Sequence, residues 1–246
     1  IYGLAYTIGV LVFIFNDAIM GSFTPWTYQH LKEGRYREIE EKANYLLIIV
    51  AVIVLSLTLV APEIVWILGG DRYMEGGWVI APIALSVFFR FLYSLYCNIE
   101  FYYEENCFIM IASVVVALIN IVLNYFFILK FGYIAAGFTT LFCFAVYAFS
   151  HFLFSSFVLR KHTEEKSIYN NKFVLLISVL LGLCCSTIMT LYDCVVVRYV
   201  LALIVIGIIF TFRKKIVVMC CNSHDKIDYA SNSQKKTIDF VLGLVW

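Results

Sequence analysis

The chain predicts an all-α integral membrane protein with about seven transmembrane helices, and three observations carry that expectation. Hydrophobic residues make up 63% of its 246 residues and charged ones only 14%, where a soluble domain is roughly half apolar and a quarter charged. Mean hydropathy is +0.90. The apolar residues are gathered into runs near the ~20 residues that a helix needs to cross a bilayer. Lys and Arg collect in alternate loops between those runs, the asymmetry that sets orientation in membranes. The net charge of +1 says nothing about partners, because distribution matters more than sum, and no nucleic-acid partner is expected.

The first run covers 1–26, interrupted by Asn16, Asp17 and Gly21, and is expected to stop at Pro25-Trp26. A charged segment, 27–42, follows; its R-Y-R-E-I-E-E-K has helix-forming composition and extends the next helix into water. The second span is placed at 43–60 and ends before Pro62, with 63–68 as a short interfacial helical turn broken by Gly69-Gly70. The third is 78–102, where Pro82 falls in the first turn and is tolerated. The fourth is 108–129 and the fifth 133–159. A charged loop, 160–172, separates the sixth, 173–192, and the seventh is the shorter run 195–212. Trp26, Trp66 and Trp78 fall near the expected interfaces, where amphipathic rings prefer to sit. Residues 213–246 form a tail whose T-I-D-F-V-L-G-L-V-W is apolar but too short to span.

If the loop after the first span is cytoplasmic, that side holds Lys32, Arg35, Arg37 and Lys42, then Arg160, Lys161, Lys166 and Lys172, then Arg213, Lys214, Lys215, Lys226, Lys235 and Lys236. These are fourteen of the eighteen Lys and Arg. The other side holds Arg72, Lys130 and Arg198, and Arg90 lies inside a span. The bias places the tail in the cytoplasm. No basic region precedes the first apolar run, so it does not resemble a signal peptide. The abrupt opening at Ile1 reads as a chain entered mid-membrane, a fragment of something longer.

Signatures of soluble-enzyme chemistry are missing: there is no G-x-S-x-G, H-E-x-x-H, P-loop or dinucleotide fingerprint. The eight cysteines show no C-x-x-C and no metal-ligand spacing, so they read as small apolar residues, and neither a metal nor a cofactor is expected. His30, His151, His162 and His224 are far apart, and His151, the one within a span, reads as a helix-end histidine. No catalytic residue is expected.

Function is therefore sought in ionisable and polar residues at membrane depth. Asp17 lies nine residues before Trp26, or about 14 Å into the bilayer, and Arg90 is near the middle of the third span. Charges there cost at least ~2.5–3.5 kcal/mol each, so they face an interior and pair. Two readings stand: both residues line one water-accessible cavity, or they form a purely structural ion pair. Ser86, Arg90, Ser94, Asn98 and Tyr102 recur every four residues as a slowly winding polar stripe. Hydroxyls, an amide and a guanidinium suit a sugar- or phosphate-bearing ligand, since Arg offers phosphate a planar fork of donors; the plain alternative is a packing face. Asn16, Asp17, Arg90, Ser94 and Asn98 are thus the candidate substrate-pathway residues.

Residues 117–140 form a second polar constellation. Asn120 and Asn124 share one helix face, a break follows at 130–132, and the next run opens with Ala135, Ala136 and Gly137, then Thr139 and Thr140. Small residues let helix backbones approach, and amides and hydroxyls hydrogen-bond between helices. Asn120, Asn124, Thr139 and Thr140 are assigned to packing within a tight helical hairpin.

F-Y-Y-E-E-N at 101–106, N-I-V-L-N at 120–124 and K-F-G-Y-I-A-A-G-F-T-T at 130–140 together resemble the polysaccharide transporter family of Wzx-type oligosaccharide flippases. That family belongs to the multidrug/oligosaccharidyl-lipid/polysaccharide exporter superfamily. I-Y-G-L-A-Y at 1–6 is similar to the start of the family's eighth span, and A-P-E-I-V-W-I-L-G-G-D-R-Y at 61–73 to its next outward loop. The resemblance covers about 1–159 and continues beyond only in hydropathy. It implies about fourteen spans in two lobes around a cavity, of which this chain is the C-terminal lobe, the N-terminal lobe being missing. It further implies transport of an undecaprenyl-diphosphate-linked sugar repeat across the bacterial cytoplasmic membrane, for O-antigen, capsule or exopolysaccharide. Partners would be that lipid-linked oligosaccharide, membrane lipid and a coupling ion, with Arg90 touching diphosphate or sugar and Asp17 tuning its charge or coupling the ion. The rival readings are a drug or cation antiporter of the same superfamily, a polymerase or acyltransferase of the same pathway, and a non-transporting scaffold remnant.

Overall fold

The computed structural model describes residues 2–163 and 165–207, with side chains given throughout except at 2, 4–6 and 8–12. The tail from 213 and the end of the seventh run lie outside the described residues. The described chain is helical and contains no strand. Its elements are α1 (Tyr2–Lys32), α2 (Tyr36–Leu59), α3 (Ala61–Gly69), a 3-10 turn (Asp71–Gly76), α4 (Gly77–Tyr102), α5 (Asn106–Phe131), α6 (Ala135–His162) and α7 (Asn171–Thr190). A shorter apolar helix, α8 (Val195–Gly207), follows. Among the described residues, five segments are long and apolar enough to cross a membrane: α2, the 3-10 turn with α4, α5, α6 and α7.

Boundaries differ from expectation where packing overrides local signals. α1 does not stop at Pro25-Trp26 but runs through Pro25 to Lys32. The added turns bury Thr27, His30 and Leu31, and His30 Nδ1 lies 2.9 Å from the Trp26 carbonyl. The start of α2 at Tyr36, seven residues before the second span, is by contrast the expected extension of that helix, and its first turns carry an Arg37–Glu41 ion pair one turn apart. α7 begins where the Asn170 side chain accepts the Phe173 N–H at 3.1 Å, an N-cap that satisfies one otherwise unpaired backbone donor.

α4 is the hub. It packs against α1, α2, α6 and α7, with α6 its most extensive neighbour, and most of its residues are buried. Phe88, Phe91, Leu95 and Ile99 of α4 join Ile39, Leu47 and Val54 of α2 in the core. α5 touches mainly α6 and leaves most of its apolar surface exposed, including Ile121, Phe126 and Leu129. A soluble protein would not present such a helix face to water, whereas lipid accepts it.

α6 meets α4 where its small residues are. A Cβ on Gly137 would come within 3.0 Å of Pro82 Cγ and 3.3 Å of both Val79 Cγ1 and the Val79 carbonyl oxygen, so any side chain there would force these neighbours to give way. The hairpin before it turns on Gly132, whose φ of +74° favours glycine.

Ion pairs tie each end of the bundle. At one end Lys161 of α6 reaches Glu105 in the α4–α5 turn at 2.6 Å, with His162 at 3.7 Å. At the other, Arg198 holds Glu63 at 2.7 and 2.9 Å and also donates to the Leu59 carbonyl, while Tyr133 donates to Glu75 at 2.9 Å. The hydrogen bond from Lys161 holds the Glu105 carboxyl below its usual range. A depressed carboxyl stabilises the fold above its unfolded pKa of about 4.3 and loses that contribution as pH falls through the folded value. Glu105→Gln is therefore expected to flatten the drop in thermal midpoint between about pH 5 and pH 3, read by unfolding in detergent at both pH values.

Candidate functional site

The polar stripe of α4 faces α1, and the two helices share a seam. Asn16 is buried and its Nδ2 donates to the Val87 carbonyl at 3.0 Å. One residue on, Asp17 receives Arg90 Nη2 on both carboxylate oxygens, at 2.9 and 3.0 Å. The guanidinium also lies over the Phe13 ring, 4.7 Å from its centroid. Two turns further along α4, Asn98 Oδ1 accepts from the Thr24 hydroxyl at 3.0 Å. Ser94 spends its hydroxyl on the Arg90 carbonyl in its own helix, and Ser86 does likewise with Ile83.

Asp17 and Arg90 thus pair, but not in an interior. The Asp17 side chain is 60% exposed and that of Arg90 26%. The pair thus sits at an exposed edge of the α1–α4 seam.

A cavity of about 360 Å³ opens toward the basic end of the same seam, between α1, α4, α5 and α6. Its walls carry the hydroxyls of Thr24, Tyr93, Ser94, Ser113 and Tyr147, the thiol of Cys97 and the amide of Asn98, with Met20, Phe101 and Ile109 as apolar lining. Asn98 is nearly fully buried, and its Nδ2 has no hydrogen-bond partner. Buried donors are almost always paired, so this one is an exception at the wall of the cavity. Ser94 and Asn98 line this cavity, whereas Arg90 and Asp17 are not among its lining residues. The stripe winds about 40° per four residues, which separates Arg90 from Asn98 around the helix as well as along it.

The second constellation lies between α5 and α6. Asn124 Nδ2 donates to Asn120 Oδ1 at 2.9 Å, Thr139 Oγ1 donates to Asn124 Oδ1 at 2.5 Å, and Asn120 Nδ2 reaches Cys143 Sγ at 3.5 Å. Thr140 takes no part: its hydroxyl donates to the Ala136 carbonyl of its own helix. Thr139→Val, which strands Asn124 Oδ1, is expected to lower stability by about 0.6–1.7 kcal/mol, measured by unfolding in mixed detergent.

A third cluster escaped the sequence. Glu100 and His151 are both fully buried and joined at 2.8 Å, with Cys97 Sγ 3.4 Å from the same ring nitrogen. His151 is therefore not a helix-end histidine but a core residue, ringed by Tyr93, Phe108 and Tyr147. The available signal was C-x-x-E, which puts Cys97 and Glu100 one turn apart on a single face of α4. Nothing in the spacing points to a partner 51 residues away.

Helices of this length and apolarity define a multi-pass, all-helical membrane protein. Comparison with protein-family models, curated proteins and solved structures finds no match.

Proposed function

We propose that the chain forms one lobe of a two-lobed flippase that moves undecaprenyl-diphosphate-linked oligosaccharide repeats across the bacterial cytoplasmic membrane. The observation that carries the reading is the Asp17–Arg90 pair, partly exposed at mid-helix depth at the edge of the α1–α4 seam. Facing lipid, such charges would cost several kcal/mol. Facing a second lobe across a water-filled cleft, they cost little and supply a cation for an anionic headgroup. The nearby cavity adds hydroxyls and the orphan Asn98 amide, a lining suited to sugar hydroxyls. The choice of a lipid-linked sugar over another amphiphile rests on the family resemblance. In this reading the end bearing Lys32, Arg35, Arg160 and Lys161 faces the cytoplasm, so the hydroxyl-lined cavity is the loading side. A coupling ion would act through Asp17.

Arg90→Ala in the full-length gene is expected to abolish surface polysaccharide while lipid-linked repeats accumulate on the cytoplasmic face. Arg90→Lys keeps the charge but loses the planar fork and should restore export only in part. The swap Asp17→Arg with Arg90→Asp rebuilds the pair in reverse. Normal membrane levels without export support the reading, whereas full export from the swapped protein reduces the pair to a structural clasp.

A further inference from the structure

We propose that Cys97, Glu100 and His151 bind one divalent metal ion of borderline softness, Zn2+ above all. The three residues offer a thiol, a carboxylate and an imidazole whose ligating atoms all lie within 4.8 Å of one another. That donor set is the one zinc takes, and three protein ligands with an open fourth position is the arrangement of zinc sites that hold water or another ligand.

The distances come close to such a site. Tetrahedral coordination at ordinary zinc bond lengths puts sulfur and nitrogen roughly 3.6 Å apart, and nitrogen and oxygen roughly 3.4 Å apart. Cys97 Sγ and His151 Nδ1 are 3.4 Å apart. His151 Nδ1 is 2.8–2.9 Å from the Glu100 oxygens, so the carboxylate must draw back by roughly 0.5 Å. Charge also balances. The metal-free cluster carries the thiol proton and one proton shared by the Glu–His pair, and is neutral. Binding M2+ releases both, leaving thiolate, carboxylate and neutral imidazole around two positive charges, again neutral. A buried site gains an ion at no net charge, which a low-dielectric interior requires.

A Glu–His pair kept for stability would have no use for the thiol, and buried ion pairs contribute little stability in themselves. The surroundings supply the rest of a site. Tyr93, Phe108 and Tyr147 close around the imidazole, while Cys97 also lines the cavity, which gives an ion a route in and the fourth ligand a place to stand.

The test uses the full chain in detergent with thiols reduced, titrated with Co2+ as the probe. Saturation at one ion per chain is expected, with a near-ultraviolet thiolate-to-cobalt band and the visible bands of a tetrahedral centre, both erased by added Zn2+. Cys97→Ser, near-isosteric, should keep its metal-free unfolding midpoint and lose the thiolate band. Glu100→Gln should weaken Co2+ binding by more than the roughly 10–100-fold that an outer-shell partner contributes. No tetrahedral spectrum, or a thiolate band unchanged in Cys97→Ser and so due to other cysteines, the exposed Cys107, Cys184 and Cys194 among them, would overturn the assignment.

Discussion

His151→Leu, assayed with chelator present, is expected to lower stability by about 3–5 kcal/mol, because it leaves the Glu100 carboxyl buried with no ionic partner. Both side chains are wholly inaccessible, and the 2.8 Å contact between them is the shortest polar link of the cluster, inside an aromatic surround. Glu100 cannot escape to water by a rotamer change, since Val87, Phe91, Leu95 and Ile99 on its own helix are equally buried. The double variant Glu100→Leu/His151→Leu removes both charges and fills the space with hydrocarbon. It should recover most of the loss and reach or exceed the parent. Unfolding midpoints in mixed detergent decide the matter: a double variant as unstable as the single one would mean that ring packing, not charge pairing, makes His151 important.

Gly137→Leu should cost at least about 1–3 kcal/mol and reduce the protein found in membranes. The first added carbon already meets Pro82 and Val79, and one of the nearest atoms is a backbone oxygen that cannot rotate away. Relief requires α6 to move off α4. Gly182→Leu on α7 is the matched control, because a Cβ there meets nothing within 4 Å. Replacing glycine there improves helix propensity by up to about 1 kcal/mol, so the control should be neutral or stabilising. Equal losses at the two positions would show a general intolerance of bulk rather than a specific close approach.

The membrane-spanning character was legible because it depends on composition and run length, which need no tertiary knowledge. The hairpin was legible for a related reason: Asn120 and Asn124 share a face by spacing alone, and Thr139 follows within a short loop. The Asp17–Arg90 pair could be guessed across 73 residues since two lone opposite charges at membrane depth have few other choices. Their exposure could not, because it depends on which sides of α1 other helices occupy. Glu100 drew no reading from the sequence. It stands next to Glu104 and Glu105 at a helix end, yet α4 remains central through that turn and only the two later residues emerge. The end of α1 was misplaced because Pro25 carries a strong local stop signal that packing of the following turns outweighs.

The fastening of α4 to α6 has a mechanical consequence. The helices touch backbone-close at Pro82 and Gly137, and again through Glu100 and His151. Those contacts are eighteen residues apart on α4, or about 27 Å. Two helices joined at one point can scissor or roll; joined at two points so far apart, they form a splint. A push delivered to one end of α4 then reappears at the other with little lost to bending, so the pair can carry a displacement from one membrane surface to the opposite one.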